Sequence, residues 1–251
     1  MNNTVSNKLR TFNIHLENEK AKDIDMSELL NEKTCRIFLQ RLMKEIKAPN
    51  LSVAASMFSK RYAYLVVASN LYSMVEYNSA LKLPIKACAL SKERELCIQS
   101  KDWPWDEGSD SVREQWRENV LHSLFSEHIT PIFNILQKTS RLSSAILWEN
   151  VAIRINSIYR KLLSKDMEMV KIERLNSDFE FLKDAQGDLF NLKENPIRQF
   201  LKIGFEFEQN SSRRTCCMYY QLEEDIEGIG YCGICPMKSK LKRTGKYIEE
   251  C

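Results

Sequence analysis

Apolar residues along this chain fall into long blocks of helical period, interrupted once by a block of period two. After Asp25, residues Leu30, Ile37, Phe38, Leu42 and Ile46 recur at helical spacing. Asp25 followed by Glu28 predicts a capped start, so this stretch should be a surface helix with one buried face. Between Val53 and Val75 the chain is apolar on most sides, which predicts a helix buried at the centre of the fold, capped by Asn50 or Ser52. LKLPIKACAL and ELCIQS then alternate around SKER, the signature of a hairpin, with Pro84 sending its strand to a sheet edge. KDWPWDEGSD has the Pro, Gly and Asp content of a loop, after which Ser109 or Asp110 opens a helix through VREQWRENVLHSLFSEH. Further helices are predicted at PIFNILQKTS and at SSAILWENVAIRINSIYRKLLSK. Beyond Asn176 the pattern weakens to a short helix at DFEFLKDA, a break at Gly187 and the alternating run FLKIGFEFEQ. The predicted class is α+β: a mainly helical body with a small antiparallel sheet, over 1–195, and a C-terminal cysteine-rich hairpin within 196–251.

Charge narrows the range of partners. Lys and Arg number 37 against 34 Asp and Glu, a net +3, which lacks the basic excess of a nucleic-acid binder. No apolar run approaches the roughly 18 residues of a membrane span, and the first twenty residues lack a secretory apolar core. An intracellular protein without a transmembrane segment is expected, so its eight cysteines should be reduced thiols.

Four of those thiols, Cys216, Cys217, Cys232 and Cys235, lie in RRTCCMYYQLEEDIEGIGYCGICP. In Cys232–Gly233–Ile234–Cys235 the spacing lets a tight turn aim two sulfurs at one metal, with Gly233 easing the turn. The adjacent pair Cys216 and Cys217 is more discriminating. Neighbouring side chains on extended backbone point to opposite faces and do not converge easily on one tetrahedral ion. A two-iron cluster is wider, and a local kink would let both sulfurs reach it. On spacing alone an iron–sulfur cluster, a structural zinc and a redox CxxC pair all stay open. Cys35, Cys88, Cys97 and Cys251 are scattered and read as inert.

Other signals are weaker. Gly228, Gly230 and Gly233 spell GxGxxG, but too little chain follows for a dinucleotide-binding unit, so these glycines instead let backbone wrap closely around a metal centre. Glu223, Glu224, Asp225 and Glu227 suit a solvated hairpin tip. Arg213 and Arg214 precede the thiols, and Lys238, Lys240, Lys242, Arg243 and Lys246 follow them, so positive charge flanks the cluster on both sides. His122 and His128 are six residues apart and face different sides of a helix. Trp103, Pro104 and Trp105 read as a loop clamped to the core. HExxH, P-loop and GxSxG motifs are absent.

RRTCCMYY followed by CGICP resembles the C-terminal signature of the FhuF-type ferric-siderophore reductases, with its adjacent cysteines and CxxCP-like end. VAASMFSKRYAYLVVASNLYSM is similar to that family's N-terminal helical segment, and SEHITPIFNILQKTSRLSSAILWENVAIRI to its central segment, so the resemblance spans about 50–236. The 14-residue spacer between Cys217 and Cys232 is longer than is common there; a longer hairpin need not move the ligands at its base. The resemblance implies a 2Fe–2S cluster on Cys216, Cys217, Cys232 and Cys235, and an enzyme reducing siderophore-bound Fe(III) to Fe(II) in the bacterial cytoplasm, either free or peripheral at the inner face of the membrane. It further implies that 1–195 forms a substrate-binding scaffold for a hydroxamate or hydroxamate–citrate chelate. Arg213, Arg214, Lys238 and Lys240 would steer that chelate. With no flavin or nicotinamide motif in the chain, electrons would come from a ferredoxin, a flavodoxin or a flavoprotein reductase. The rival expectation is a zinc-binding or iron-sensing interaction module without reductase activity.

Overall fold

A computed structural model describes residues 9–16, 20–99, 105–202, 212–222 and 230–237. Five long helices carry most of it. Helix α1 (Glu32–Glu45) begins at Asn31, whose side chain accepts from the backbone of Lys33 at 3.0 Å and Thr34 at 3.2 Å. The cap therefore lies six residues beyond the expected Asp25, because 22–25 is drawn into a strand and Glu28 into a short 3-10 turn.

Helix α2 spans 51–77: Leu51–Ala63 is α-helical, Tyr64–Ala68 forms one wide π turn, and Ser69–Tyr77 is α-helical again. Asn50 caps it, accepting from Val53 at 3.1 Å, whereas Ser52 donates to the carbonyl of Ser140. As its all-round apolar character predicts, α2 is buried along nearly its whole length. Phe58 lies edge-on to Phe38 at 5.0 Å and stacks on Tyr62 at 5.3 Å, which in turn stacks on His128. Each such buried ring contributes about 1.5–3 kcal/mol.

The helices expected at VREQWRENVLHSLFSEH and PIFNILQKTS form a single continuous helix α3 over 113–140, with a π turn at Ser123–Ile129 between Arg113–His122 and Thr130–Ser140. Pro131 lacks the N–H of a regular helical bond, and the wide turn just before it absorbs the interruption. Helix α4 (Ser144–Leu163) packs along α2 and is the second central element. The weak helix expected at DFEFLKDA is a 16-residue helix, α5 (Met169–Asp184). Leu175, Phe179 and Leu182 give it one buried stripe at helical spacing, and Asp178, fully buried beside them, takes a bidentate grip from Arg113 at 2.7 and 2.8 Å. At Gly187 the expected break holds for a steric reason: a Cβ there would lie 2.2 Å from the carbonyl of Leu192.

The sheet is mixed rather than antiparallel. Strands β1 (Ile14–Leu16), β2 (Lys22–Asp25), β4 (Cys88–Ser91) and β5 (Leu96–Ile98) lie in the order β1-β5-β4-β2, with β1 parallel to β5 and the other pairs antiparallel. The β4–β5 hairpin is the expected one. Pro84, however, precedes a 3-10 turn (Ile85–Ala87) outside the ladder, so β4 sits inside the sheet, not at its edge. Part of the expected KDWPWDEGSD loop is a strand: β6 (Trp105–Glu107) pairs antiparallel with β3 (Ser79–Leu81). Asn78, left-handed at φ 49°, ends α2 and makes this possible, donating to the carbonyl of Gly108 at 2.9 Å. The run at 203–210, Trp103 with Pro104, and the acidic run at 223–227 lie outside the described residues. Among the described residues, no helix is long and apolar enough to cross a membrane.

Candidate metal centre

Two short segments carry the thiols, 212–222 and 230–237. They are joined by a backbone bond from Arg213 N to the Ile234 carbonyl at 2.9 Å. Within the second, Cys235 N donates to the Cys232 carbonyl at 2.9 Å, closing the tight turn that CxxC spacing predicts. A Cβ on Gly233 or Gly230 would meet no protein atom within 4 Å.

The adjacent pair divides as the extended-backbone argument requires. Cys217 turns inward, is buried, and brings its sulfur to 3.7 Å from that of Cys232. Cys216 is half-buried and has Cys235 as its thiol neighbour. Immediately afterwards Met218 takes a left-handed conformation at φ 64°, and its N–H folds back onto the Cys216 sulfur at 3.4 Å. The four thiols thus form two contacts, each crossing from one segment to the other. Among the described residues no group of three or more His, Cys, Asp or Glu is gathered at the spacing of a single ion.

Electrostatics separate the two members of the inner contact. Cys217 is pulled down to about 5, first by its bond with Cys232, against burial, and then by Lys60, the Tyr219 N–H and Arg213. Cys232 is pushed up by that same bond and by burial. Burial also raises Cys216. One proton shared by a close thiol pair beside an ammonium group gives this pattern. The Lys60 Nζ lies 3.6 Å from the Cys217 sulfur and 4.9 Å from the Tyr219 ring centroid.

The body fixes the first segment through residues that spacing did not single out. Glu149 on α4 is buried, accepts from Arg214 N at 2.6 Å and Thr215 N at 2.9 Å, and takes the Thr215 hydroxyl as well. Arg213 is also buried, with its Nη2 3.5 Å from Glu149. Ser56 on α2 donates to the Cys217 carbonyl at 2.8 Å, and Asn150 donates to Ser59 Oγ at 2.8 Å and to the Ser56 carbonyl at 3.3 Å. Arg213 therefore faces inward as a clamp, unlike the chelate-steering role expected of it. Arg214 is exposed and reaches Gln199 at 3.4 Å. Lys238, Lys240 and Cys251 lie outside the described residues. The one sequence hint of Glu149 is an acid set inside the apolar run ILWENVAI; Lys60 and Ser56 leave no comparable trace.

This donor set fits a thiolate-ligated centre. Its sulfurs stand as two cross-segment pairs on segments joined by a backbone bond, one sulfur already favouring the thiolate, with backbone N–H groups and an ammonium beside them. The remaining cysteines are elsewhere: Cys88, pushed up to about 12 by burial, and Cys35 and Cys97, also raised by burial, are buried in the body.

Comparison with known families gives a match over residues 56–204 to the family described as "Ferric iron reductase FhuF-like transporter". The matched stretch includes Ser56, Lys60, Glu149 and Asn150 and ends before the first thiol. No curated protein matches the chain.

Proposed function

Because this chain belongs to the FhuF-like ferric iron reductase family, we propose that it reduces siderophore-bound Fe(III) to Fe(II), with Cys216, Cys217, Cys232 and Cys235 holding a 2Fe–2S cluster. Such a cluster, when bound, supplies transfer of one electron at a time. Glu149 holds the first thiol segment against the body, and the Arg213–Ile234 backbone bond carries the second with it. Lys60, Arg213 and the N–H groups of Met218 and Tyr219 favour sulfur in its anionic, metal-binding form. Cys216 and Cys232 are only half-buried, so a bulky chelate can come close to the sulfurs.

The substrate gains most from a single electron. Siderophores grip Fe(III) through hard oxygen donors, and Fe(II), softer and lower in charge, is held far less tightly by the same atoms. The electron is taken from a separate donor protein, a ferredoxin, flavodoxin or flavoprotein reductase, which is oxidised by one equivalent for each Fe(II) released. The work takes place in the cytoplasm, where acceptors of Fe(II) pull the transfer forward.

The observation that carries this reading is the docking of four thiols, through Glu149 and Ser56, onto the part of the chain that matches the family. Anaerobic purification tests it. The protein should be reddish brown, bleach with dithionite, give a rhombic EPR signal once reduced, and convert a ferric hydroxamate chelate to Fe(II) that a chromogenic chelator traps. Cys217→Ser should abolish the colour. A colourless protein carrying one zinc, or a coloured one that reduces no ferric chelate, overturns the proposal in favour of an interaction or iron-sensing module.

A further inference from the structure

Along the seam where α2 meets α4, cations are directed at rings: the Arg154 guanidinium lies 5.6 Å over Tyr64, and the Lys165 ammonium 5.3 Å over Tyr72. Lys60 differs. Its ammonium lies 4.9 Å over Tyr219 and also reaches a sulfur, that of Cys217, at 3.6 Å. Two helices place it there: it rides on α2 next to fully buried Ser59, and its carbonyl accepts from Arg154 Nε on α4 at 3.3 Å. Lys60 is half-buried and meets no carboxylate among the described residues.

The field at the four thiols is therefore lopsided. The outer contact, Cys216 with Cys235, receives a neutral N–H from Met218 at 3.4 Å. The inner contact, Cys217 with Cys232, receives a full charge. Arg213 is also near Cys217, but Glu149 stands 3.5 Å from its guanidinium and offsets it. A half-buried ammonium has given up part of its hydration, and a ring face returns only part of that loss. Negative charge on the sulfur beside it supplies the rest.

One electron added to a thiolate-ligated centre makes that centre more negative by one unit. No bond forms or breaks at Lys60, so its fixed charge favours the reduced state over the oxidised one. Resting on the reductase reading above, we infer that Lys60, acting through the Cys217 sulfur, raises the reduction potential of the centre and so eases uptake of the electron from the donor protein. The donor loses one electron for each one taken up, and the driving force onward to the ferric chelate falls by the same amount that the uptake gains.

The full chain, purified without air, is titrated with dithionite and mediators at one pH, with EPR reporting the fraction reduced. Lys60→Met and Lys60→Gln delete the charge with an apolar and a polar side chain, and Lys60→Arg keeps it. Both neutral variants should shift the equilibrium at least about tenfold toward the oxidised form, a fall of ~59 mV for one electron. Their iron and sulfide content should match wild type, and the potential of Lys60→Arg should fall by less than half as much. Neutral variants with the wild-type potential, or an equal fall in all three, overturn the inference. So does a failure of both neutral variants to take up iron while Lys60→Arg succeeds, which would give the lysine a role in assembly. Trapping of Fe(II) from a ferric hydroxamate is scored separately. A potential that follows the charge at position 60, without reduction of any ferric chelate, removes the reductase reading and keeps the lysine's effect. Chelate reduction with a potential indifferent to that charge does the reverse, and a colourless wild type removes both.

Discussion

The helical body and the thiol segments are ordered by opposite means. In the body, polar groups are exceptions inside an apolar core, and each helix is held by surfaces such as the Phe38–Phe58–Tyr62 stack or the Trp148 cluster with Phe133 and Phe190. In the segments Leu222, Met218 and Tyr219 also meet the core, but the thiol-bearing backbone is tied down by a few directed bonds to Glu149, Ser56 and Lys60. Removing apolar surface should therefore weaken the whole body, whereas removing one acceptor should free the thiols and leave the body standing.

The largest effect should come from the body. Trp148 is almost fully buried and edge-on to Phe133 at 5.1 Å, so Trp148→Ala should cost about 3–5 kcal/mol of global stability, read as a lower urea midpoint. Acid should act next, also on the body. Buried His128 donates from Nδ1 to the Leu83 carbonyl, leaving Nε2 to accept from the Tyr62 hydroxyl, and burial pulls its pKa down to about 4. The unfolded chain takes up this proton near pH 6.5. Stability from this group is then complete above that pH and falls by about 3 kcal/mol as pH drops to about 4, which urea titrations across that window will measure.

Two smaller changes probe the segments. Glu149→Gln puts a donor where backbone N–H groups already point and removes the charge facing Arg213. It should loosen the first segment by about 2 kcal/mol, seen as faster thiol labelling of Cys217 with little change in the urea midpoint. Ser56→Ala, which deletes the bond to the Cys217 carbonyl, should show the same pattern at about 1 kcal/mol. If either variant lowered the midpoint as much as it sped labelling, the two regions would be one cooperative unit.

The same contrast explains what could be foreseen. An apolar helix announces itself, so the stretch from Val53 to Val75 was legible as a buried element, and the β4–β5 hairpin showed its alternation. Helix α5 is longer than DFEFLKDA suggests, although Leu175, Phe179 and Leu182 recur at helical spacing; only its tie from Asp178 to Arg113, 65 residues earlier, leaves no local mark. Strand β6 was hidden because it is three residues long and depends on the turn at Asn78. The thiols were visible by spacing, since a turn brings Cys232 and Cys235 together locally. Their supports were not: Lys60 lies 157 residues before Cys217, and nothing in its own neighbourhood marks it.

The wide turn at Tyr64–Ala68 has a consequence for how this protein tolerates change. It sets the phase between the two halves of α2, the first bearing Lys60 and the second bearing Tyr72. Each residue of a helix advances the face by about 100°, so deleting a single position there would swing the far ring out of the seam while the ammonium stayed on its sulfur. Length at those five positions is thus fixed by phase while identity is fixed by burial, so a volume-conserving change should be borne where a one-codon loss is not.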